Sequence, residues 1–232
     1  MTLYNECRPH RFGDVIGQHQ VTEILKEQAR TGQFGHSYCL FGNSGTGKTT
    51  VARIIASTVN CLNKNGDGEP CGECQNCQTI IEGNNWDIRE INGGDFRGID
   101  DVRALITKSY LCPVIGPKKV YIIDEAHALT GDAFNCLLKL LEEPPPHLII
   151  ILVTTDFTKL PETVTSRCQL FPFKKLSYGD VSGVVNDIAQ VRGLSLSFEQ
   201  AQSIAKNSGG NLRKALNLLE QCLIVGKEPV GV

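Results

Sequence analysis

Apolar residues in this chain fall into short unbroken runs rather than alternating ones. Ser37–Phe41, Asp87–Ile91, Val120–Ile123, Leu148–Val153 and Cys168–Phe173 are each four to six residues long and are separated by polar or helix-patterned stretches. A strand that is apolar at successive positions has both faces covered, which is the signature of a parallel sheet sandwiched between helices. Helical spacing follows the first run, at Lys48–Val59, and recurs at Asp132–Glu143, where Pro144, Pro145 and Pro146 stop it. After Lys175 no strand-like run remains. Three helical patterns take over, at Tyr178–Arg192, Phe198–Asn207 and Leu212–Val225, with Ser197 and Asn211 as candidate caps for the last two. The pattern predicts an α/β domain over residues 1–176 and a three-helix unit over 177–232, without internal repeats or low-complexity segments.

With 232 residues and 41% hydrophobic positions, the chain can bury a full core and is not disordered by composition. Its formal net charge of -2 excludes a general positive field for coating nucleic acid, so any such contact must be local. No run approaches the ~20 apolar residues of a membrane span, and the amino terminus lacks the apolar stretch of a signal peptide. The expectation is a cytoplasmic protein without membrane partners.

Between the first strand and the first helical pattern lies Gly42-Asn43-Ser44-Gly45-Thr46-Gly47-Lys48-Thr49, a complete G-x-x-x-x-G-K-[ST] phosphate loop in the context that the motif needs. Its glycines let successive N–H groups face phosphate oxygens, and the helix beginning at Lys48 presents its positive end. Lys48 is expected at the β- and γ-phosphates and Thr49 on Mg²⁺, with Thr50 next to them. Val120–Glu125 (VYIIDE) brings Asp124 and Glu125 to the carboxyl end of an apolar strand, where open α/β sheets place their ligands. Asp124 would hold Mg²⁺ through water, and Glu125 would orient or deprotonate an attacking water. His127 completes Asp-Glu-Ala-His, a helicase-like string. The 56 mostly helical residues after the α/β part cannot form a second recombinase-like domain, so His127 reads as a helix-start or packing residue.

Ten cysteines divide into two sets. Cys7, Cys39, Cys112, Cys136, Cys168 and Cys222 are scattered and read as small buried hydrophobes. Cys61, Cys71, Cys74 and Cys77 crowd one hydrophilic insertion, about residues 60–78, as C-x₉-C-x₂-C-x₂-C. Four thiolates at this spacing can close a structural Zn²⁺ shell with no position left for catalysis. Iron–sulfur ligation fits less well, because the ferredoxin run needs a further cysteine after Cys77; free thiols are the remaining alternative.

Taken together, Arg8-Pro9 with Phe12, Val15-Ile16-Gly17-Gln18, the phosphate loop, the four-cysteine insertion, VYIIDEAHAL, LLKLLEEPP, TTDFTKLP, Ser166-Arg167-Cys168 and Gly210–Leu216 resemble the gamma/tau family of bacterial DNA polymerase III clamp-loader subunits. The resemblance covers nearly all of residues 4–225. It implies an AAA+ P-loop ATPase domain with a five-stranded parallel sheet and a zinc-binding insertion, followed by a small helical lid. It also implies a role in DNA replication as the ATPase that loads a sliding clamp onto primer-template DNA, with ATP, Mg²⁺ and Zn²⁺ as cofactors and other clamp-loader subunits, in a homo- or hetero-oligomeric ring, as partners. Residue by residue, Val15 and Ile16 would line an adenine pocket beside Tyr4 and Arg8. Thr155 would be the polar sensor near the γ-phosphate, Arg167 the finger acting on a neighbouring subunit's ATP, and Arg213 the lid's own γ-phosphate contact. Arg213 has separate support: a cation in the first turn of a helix opposes the dipole unless an anion lies nearby. A solvated arginine is the alternative.

Three features depart from the family pattern. Cys7 replaces a usually basic or aromatic residue, and Asn92–Asp100 is closer to replication factor C. The helical collar through which the family's rings assemble does not follow before Val232, so a truncated or short, phage-encoded version is expected. Within Asn92–Asp100 and the helix after it, Arg97 and Arg103 are expected to touch DNA phosphates. A non-hydrolysing nucleotide-binding subunit and a zinc-dependent DNA-binding ATPase of another AAA+ class are the competing readings.

Overall fold

In the computed structural model, which describes residues 2–95 and 99–225, the five expected strands form one parallel sheet in the order β2-β3-β4-β1-β5. The strands are β1 (Ser37–Gly42), β2 (Ile88–Asn92), β3 (Lys119–Asp124), β4 (Leu148–Thr154) and β5 (Gln169–Phe173). Ten α-helices accompany them among the described residues: α1 (Leu3–Glu6), α2 (His19–Thr31), α3 (Lys48–Asn60), α4 (Gln75–Glu82), α5 (Ile99–Ser109), α6 (Gly131–Glu142), α7 (Glu162–Thr165), α8 (Tyr178–Val191), α9 (Phe198–Asn207) and α10 (Leu212–Val225). No helix among the described residues is long and apolar enough to cross a membrane.

The continuous apolar runs are explained by burial on two sides. All seven residues of β4 are buried. Ile149, Ile151 and Val153 pack with Leu25 of α2 and Ile54 and Ile55 of α3, whereas Leu148, Ile150 and Leu152 pack with Phe134, Leu137 and Leu140 of α6. Each such side chain removed from water contributes about 1.5–3 kcal/mol. Helix α3 is buried at eleven of its thirteen positions, because it lies under the sheet and is also covered by α4. At the sheet's edge the pattern loosens: β5 carries Pro172, whose missing N–H an edge strand tolerates.

A third core joins α8, α9 and α10 through Val181, Val185, Ile204, Leu216 and Leu219. Ser177 and Ser197 cap α8 and α9 through complete capping boxes with Asp180 and Gln200. Leu3 belongs to this helical core, and Leu3 N–H donates to the Glu220 carboxylate, so the amino terminus is strapped across to α10. Among the scattered cysteines, Cys39 and Cys222 are buried, and Cys7, Cys136 and Cys168 half-buried. Cys112 is exposed, contrary to expectation, because the loop after α5 carries it outside both cores. Arg97 lies outside the described residues, and Arg103 is an exposed side chain paired with Asp100 at 3.3 Å.

Asp87, 1% exposed, enters β2 while its two carboxylate oxygens accept N–H groups of Val114, Ile115 and Gly116 at 2.6–2.7 Å. It thereby fixes the loop between α5 and β3. Asp87→Ala would leave three amides without their charged acceptor. A loss of about 2–4 kcal/mol in unfolding free energy is expected from urea denaturation, and a loss below about 1 kcal/mol would show that the loop finds other partners.

Candidate active site

The carboxyl ends of β1, β3 and β4 converge on one cleft, lined by Tyr4, Ser44, Gly45, Gly47, Lys48, Thr49, Thr50, Asp124, Glu125, Thr155 and Arg213. The phosphate loop begins at Gly42, whose φ of 142° and close approach to the Phe173 backbone admit no side chain. Lys48, 6% exposed, extends back over the loop and donates to the carbonyls of Gly42 at 2.8 Å and Asn43 at 2.7 Å. Burial pulls its pKa below the ordinary lysine value, with Glu125 and Asp124 opposing that shift and Arg213 reinforcing it. The Asn43 carbonyl also accepts from Thr46 Oγ1, closing the loop on itself.

Thr49 Oγ1 donates to Asp124 Oδ2 at 2.8 Å, which brings the motif threonine and the strand-end carboxylate together. Asp124 Oδ1 accepts the Glu125 N–H. Glu125 has φ 50°, the only positive φ outside glycine among the described residues. Such a backbone costs of order 1–3 kcal/mol and persists only where the surroundings enforce it. They do so from three sides. Gly93 N–H donates to the Asp124 carbonyl at 2.7 Å, and a Cβ on Gly93 would approach the Glu125 carbonyl oxygen to 2.6 Å. Thr155 Oγ1 donates to Glu125 Oε2 at 2.9 Å. His127 Nδ1 lies 3.3 Å from the same oxygen and 3.0 Å from Thr154 Oγ1. His127 is therefore a packing neighbour, as expected, and one that orients the carboxylate.

An apolar chamber adjoins this polar cleft and shares Tyr4, Gly45, Gly47 and Thr50 with it; Val15, Ile16, Leu176, Leu212 and Leu216 supply its walls. Arg213 lies over the Tyr4 ring at 4.6 Å and donates to the Tyr4 hydroxyl at 3.0 Å. Arg8 lies over the same ring at 5.0 Å. Its Nε and Nη1 are buried without a hydrogen-bond partner, and burial lowers its pKa. A polar lobe with two cations, Lys48 and Arg213, beside an apolar lobe edged by Arg8 with donors still unmet, fits a nucleoside phosphate and the Mg²⁺ that accompanies it. A larger hollow of about 690 Å³ lies at the β2 edge, but none of the motif residues line it, and its Glu90 is paired with Arg53.

Arg167 is not part of this cleft. It follows α7, pairs with Glu142 and donates to the Thr163 carbonyl at 2.6 Å, half-exposed at the surface. Its hydrogen bonds and ion pair are with Glu142, Thr163 and Ser166, none of them in the phosphate loop. Sequence reasoning missed Asn211 as more than a cap, Thr154 beside His127, and Gln18, which spans the Lys174 backbone at 2.8 and 3.1 Å. All three fall inside the quoted motifs, but each acts through a contact distant in sequence that the motif does not specify.

The four insertion cysteines converge, with all sulfur atoms within 4.8 Å of one another and Cys61 and Cys71 at 3.5 Å. Bonds of ~2.3 Å in a tetrahedron put sulfurs about 3.8 Å apart, so the cluster fits a four-thiolate metal shell. Although burial raises its pKa, N–H groups aimed at Cys74 outweigh that and bring it down to about 6. The insertion is fastened to the segment before Val15: Glu69 accepts the Phe12 N–H at 2.8 Å and the Gly13 N–H at 3.1 Å.

Solved structures of the same fold include the Thermotoga maritima RuvB Holliday junction branch migration motor, which matches with a TM-score of 0.69 at 23% identity over 96% of this chain and 68% of that one. The fold is the AAA+ one. Curated relatives are named as polymerase subunits. The DNA polymerase III subunit tau of Bacillus subtilis is 42% identical over 95% of this chain and 39% of its own length. The Escherichia coli subunit tau is 37% identical over 99% and 36%, and the Buchnera aphidicola (subsp. Baizongia pistaciae) subunit gamma 36% identical over 97% and 60%. The chain spans between about a third and three fifths of the length of these relatives. Residues 17–177 match the family described as DNA polymerase III, delta subunit. With that match over most of the chain and gamma and tau subunits aligned along nearly all of it, the chain belongs to this family of DNA polymerase III subunits.

Proposed function

We propose that this chain is the ATPase subunit of a DNA polymerase clamp loader, coupling ATP binding and hydrolysis to loading of the sliding clamp on primer-template DNA. The observation that carries the reading is the alignment of Lys48, Thr49, Asp124, Glu125, Thr155 and Arg213 around one cleft. Lys48 and Arg213 supply charge against the β- and γ-phosphates. Thr49 and Asp124 hold Mg²⁺, which neutralises charge developing on the phosphates during transfer. Glu125, fixed by Thr155 and His127, takes or orients the proton of the attacking water. Val15 and Ile16 face the base. Residues 1–176 form the ATPase unit and 177–232 the lid, with α1 tying one to the other. Other clamp-loader subunits complete the ring, and Arg167 reaches the neighbouring subunit's ATP once its exposed pair with Glu142 opens, a contact of a kind worth only ~0–1 kcal/mol.

Binding of a fluorescent ATP analogue and single-turnover hydrolysis test these roles. Lys48→Ala should weaken binding at least about tenfold, whereas Glu125→Gln should leave it within about threefold and cut hydrolysis about a hundredfold or more. Arg167→Ala should bind ATP normally and lose the rate increase that partner subunits produce, an effect of order 10³ or more for such arginines. Equal loss of affinity in Lys48→Ala and Glu125→Gln proteins contradicts the separate roles, and a lone chain at full rate contradicts the ring.

The four-cysteine cluster is proposed to hold Zn²⁺ as a structural ion. Protein purified under reducing, metal-replete conditions should contain about one zinc per chain by elemental analysis. Iron, or no metal, would reject the assignment.

A further inference from the structure

Asn211 joins two units that are 167 residues apart in sequence at this contact. Its Oδ1 accepts the Lys214 N–H at 3.1 Å, capping α10, and its Nδ2 donates to the Ser44 carbonyl in the phosphate loop at 3.0 Å. Gly45, at φ 76°, lies against the Asn211 amide so closely that a Cβ there would overlap it. The Ser44 carbonyl and the Gly45 N–H belong to one planar trans peptide and point in opposite directions. Fixing the carbonyl toward α10 therefore fixes the Gly45 N–H away from it. Two residues further on, Arg213 lines the cleft.

We propose that Asn211 is a positioning residue for the nucleotide: one amide side chain latches the first turn of α10 to the Ser44–Gly45 peptide, so that the phosphate loop and Arg213 are set as a unit. This rests on the reading of the cleft as a nucleoside triphosphate site. A helix cap needs only the acceptor, which Asn, Asp and Ser supply about equally well. The latch also needs a donor with the reach of an amide. Asp keeps the cap and the length but loses the donor; Ser keeps the cap but is too short to span to Ser44. An additional ligand-facing charge accompanies Asp alone, so the two variants separate loss of the latch from charge repulsion.

The test compares Asn211→Asp, Asn211→Ser and Asn211→Ala proteins with the parent chain by titration with a fluorescent ATP analogue in the presence of Mg²⁺ and by thermal unfolding. The expected result is that the Asp and Ser variants unfold within about 2 °C of the parent, since their caps persist. Both nevertheless bind the analogue ~5- to 10-fold more weakly, as the Ala variant does. Asp and Ser variants that bind within twofold of the parent would make Asn211 a cap alone and overturn the latch. A parent chain that does not bind the analogue would overturn the nucleotide reading itself, and the latch with it.

Discussion

Burial of β4 on both faces is the constraint from which the rest of the molecule follows. A strand covered by α2 and α3 on one side and α6 on the other suits parallel neighbours whose return connections are helices, and β1 and β3 take those places. Parallel pairing then brings all carboxyl ends to one edge. The register sets Phe41 opposite Thr154 and Ile123 opposite Leu152, so the phosphate loop, Asp124 and Thr155 leave the sheet at nearly the same level. Their convergence needs no specific attraction between polar groups. The apolar layers impose it.

What the layers do not settle is the orientation of individual polar atoms, and there the molecule accepts local strain. Glu125 adopts a left-handed backbone while its side chain is fixed by Thr155 and His127. Gly93 is small because the Glu125 carbonyl passes close to it. These contacts give the Glu125 carboxylate one direction in the cleft.

The short buried strands, the helix after the phosphate loop and the three terminal helices were legible because each has a one-dimensional signal: a run, a period or a motif. Asp124 and Thr49 were legible as a pair for the same reason, since two motifs with known geometry fix two ends of one contact. Helix α2 was not, because nine of its thirteen residues, His19 to Thr31, are polar or charged around a narrow buried stripe of Val21, Leu25 and Ala29. Short helices α1 and α7 carry too few residues for a period to show. Contacts such as Leu3 with Glu220, Glu69 with Phe12 and Asn211 with Ser44 join positions that no local pattern links. The strapping of the amino terminus onto the helical unit belongs to this second group: Leu3 of α1 packs in the core of α8, α9 and α10, across the split between residues 176 and 177.

These long-range ties give the cleft its coherence. The wall of its apolar chamber is built from Val15 and Ile16 in the segment anchored by Glu69, and from Leu212 and Leu216 in the helical unit. Tyr4 lies between them under two guanidinium groups. A molecule filling the chamber would therefore touch the amino-terminal segment, the phosphate loop and the helical unit at once. In the chain as a whole acids slightly outnumber bases, yet at this point Lys48, Arg8 and Arg213 face only Asp124 and Glu125. That local surplus of cations over acids has the sign that would draw an anion into the cleft.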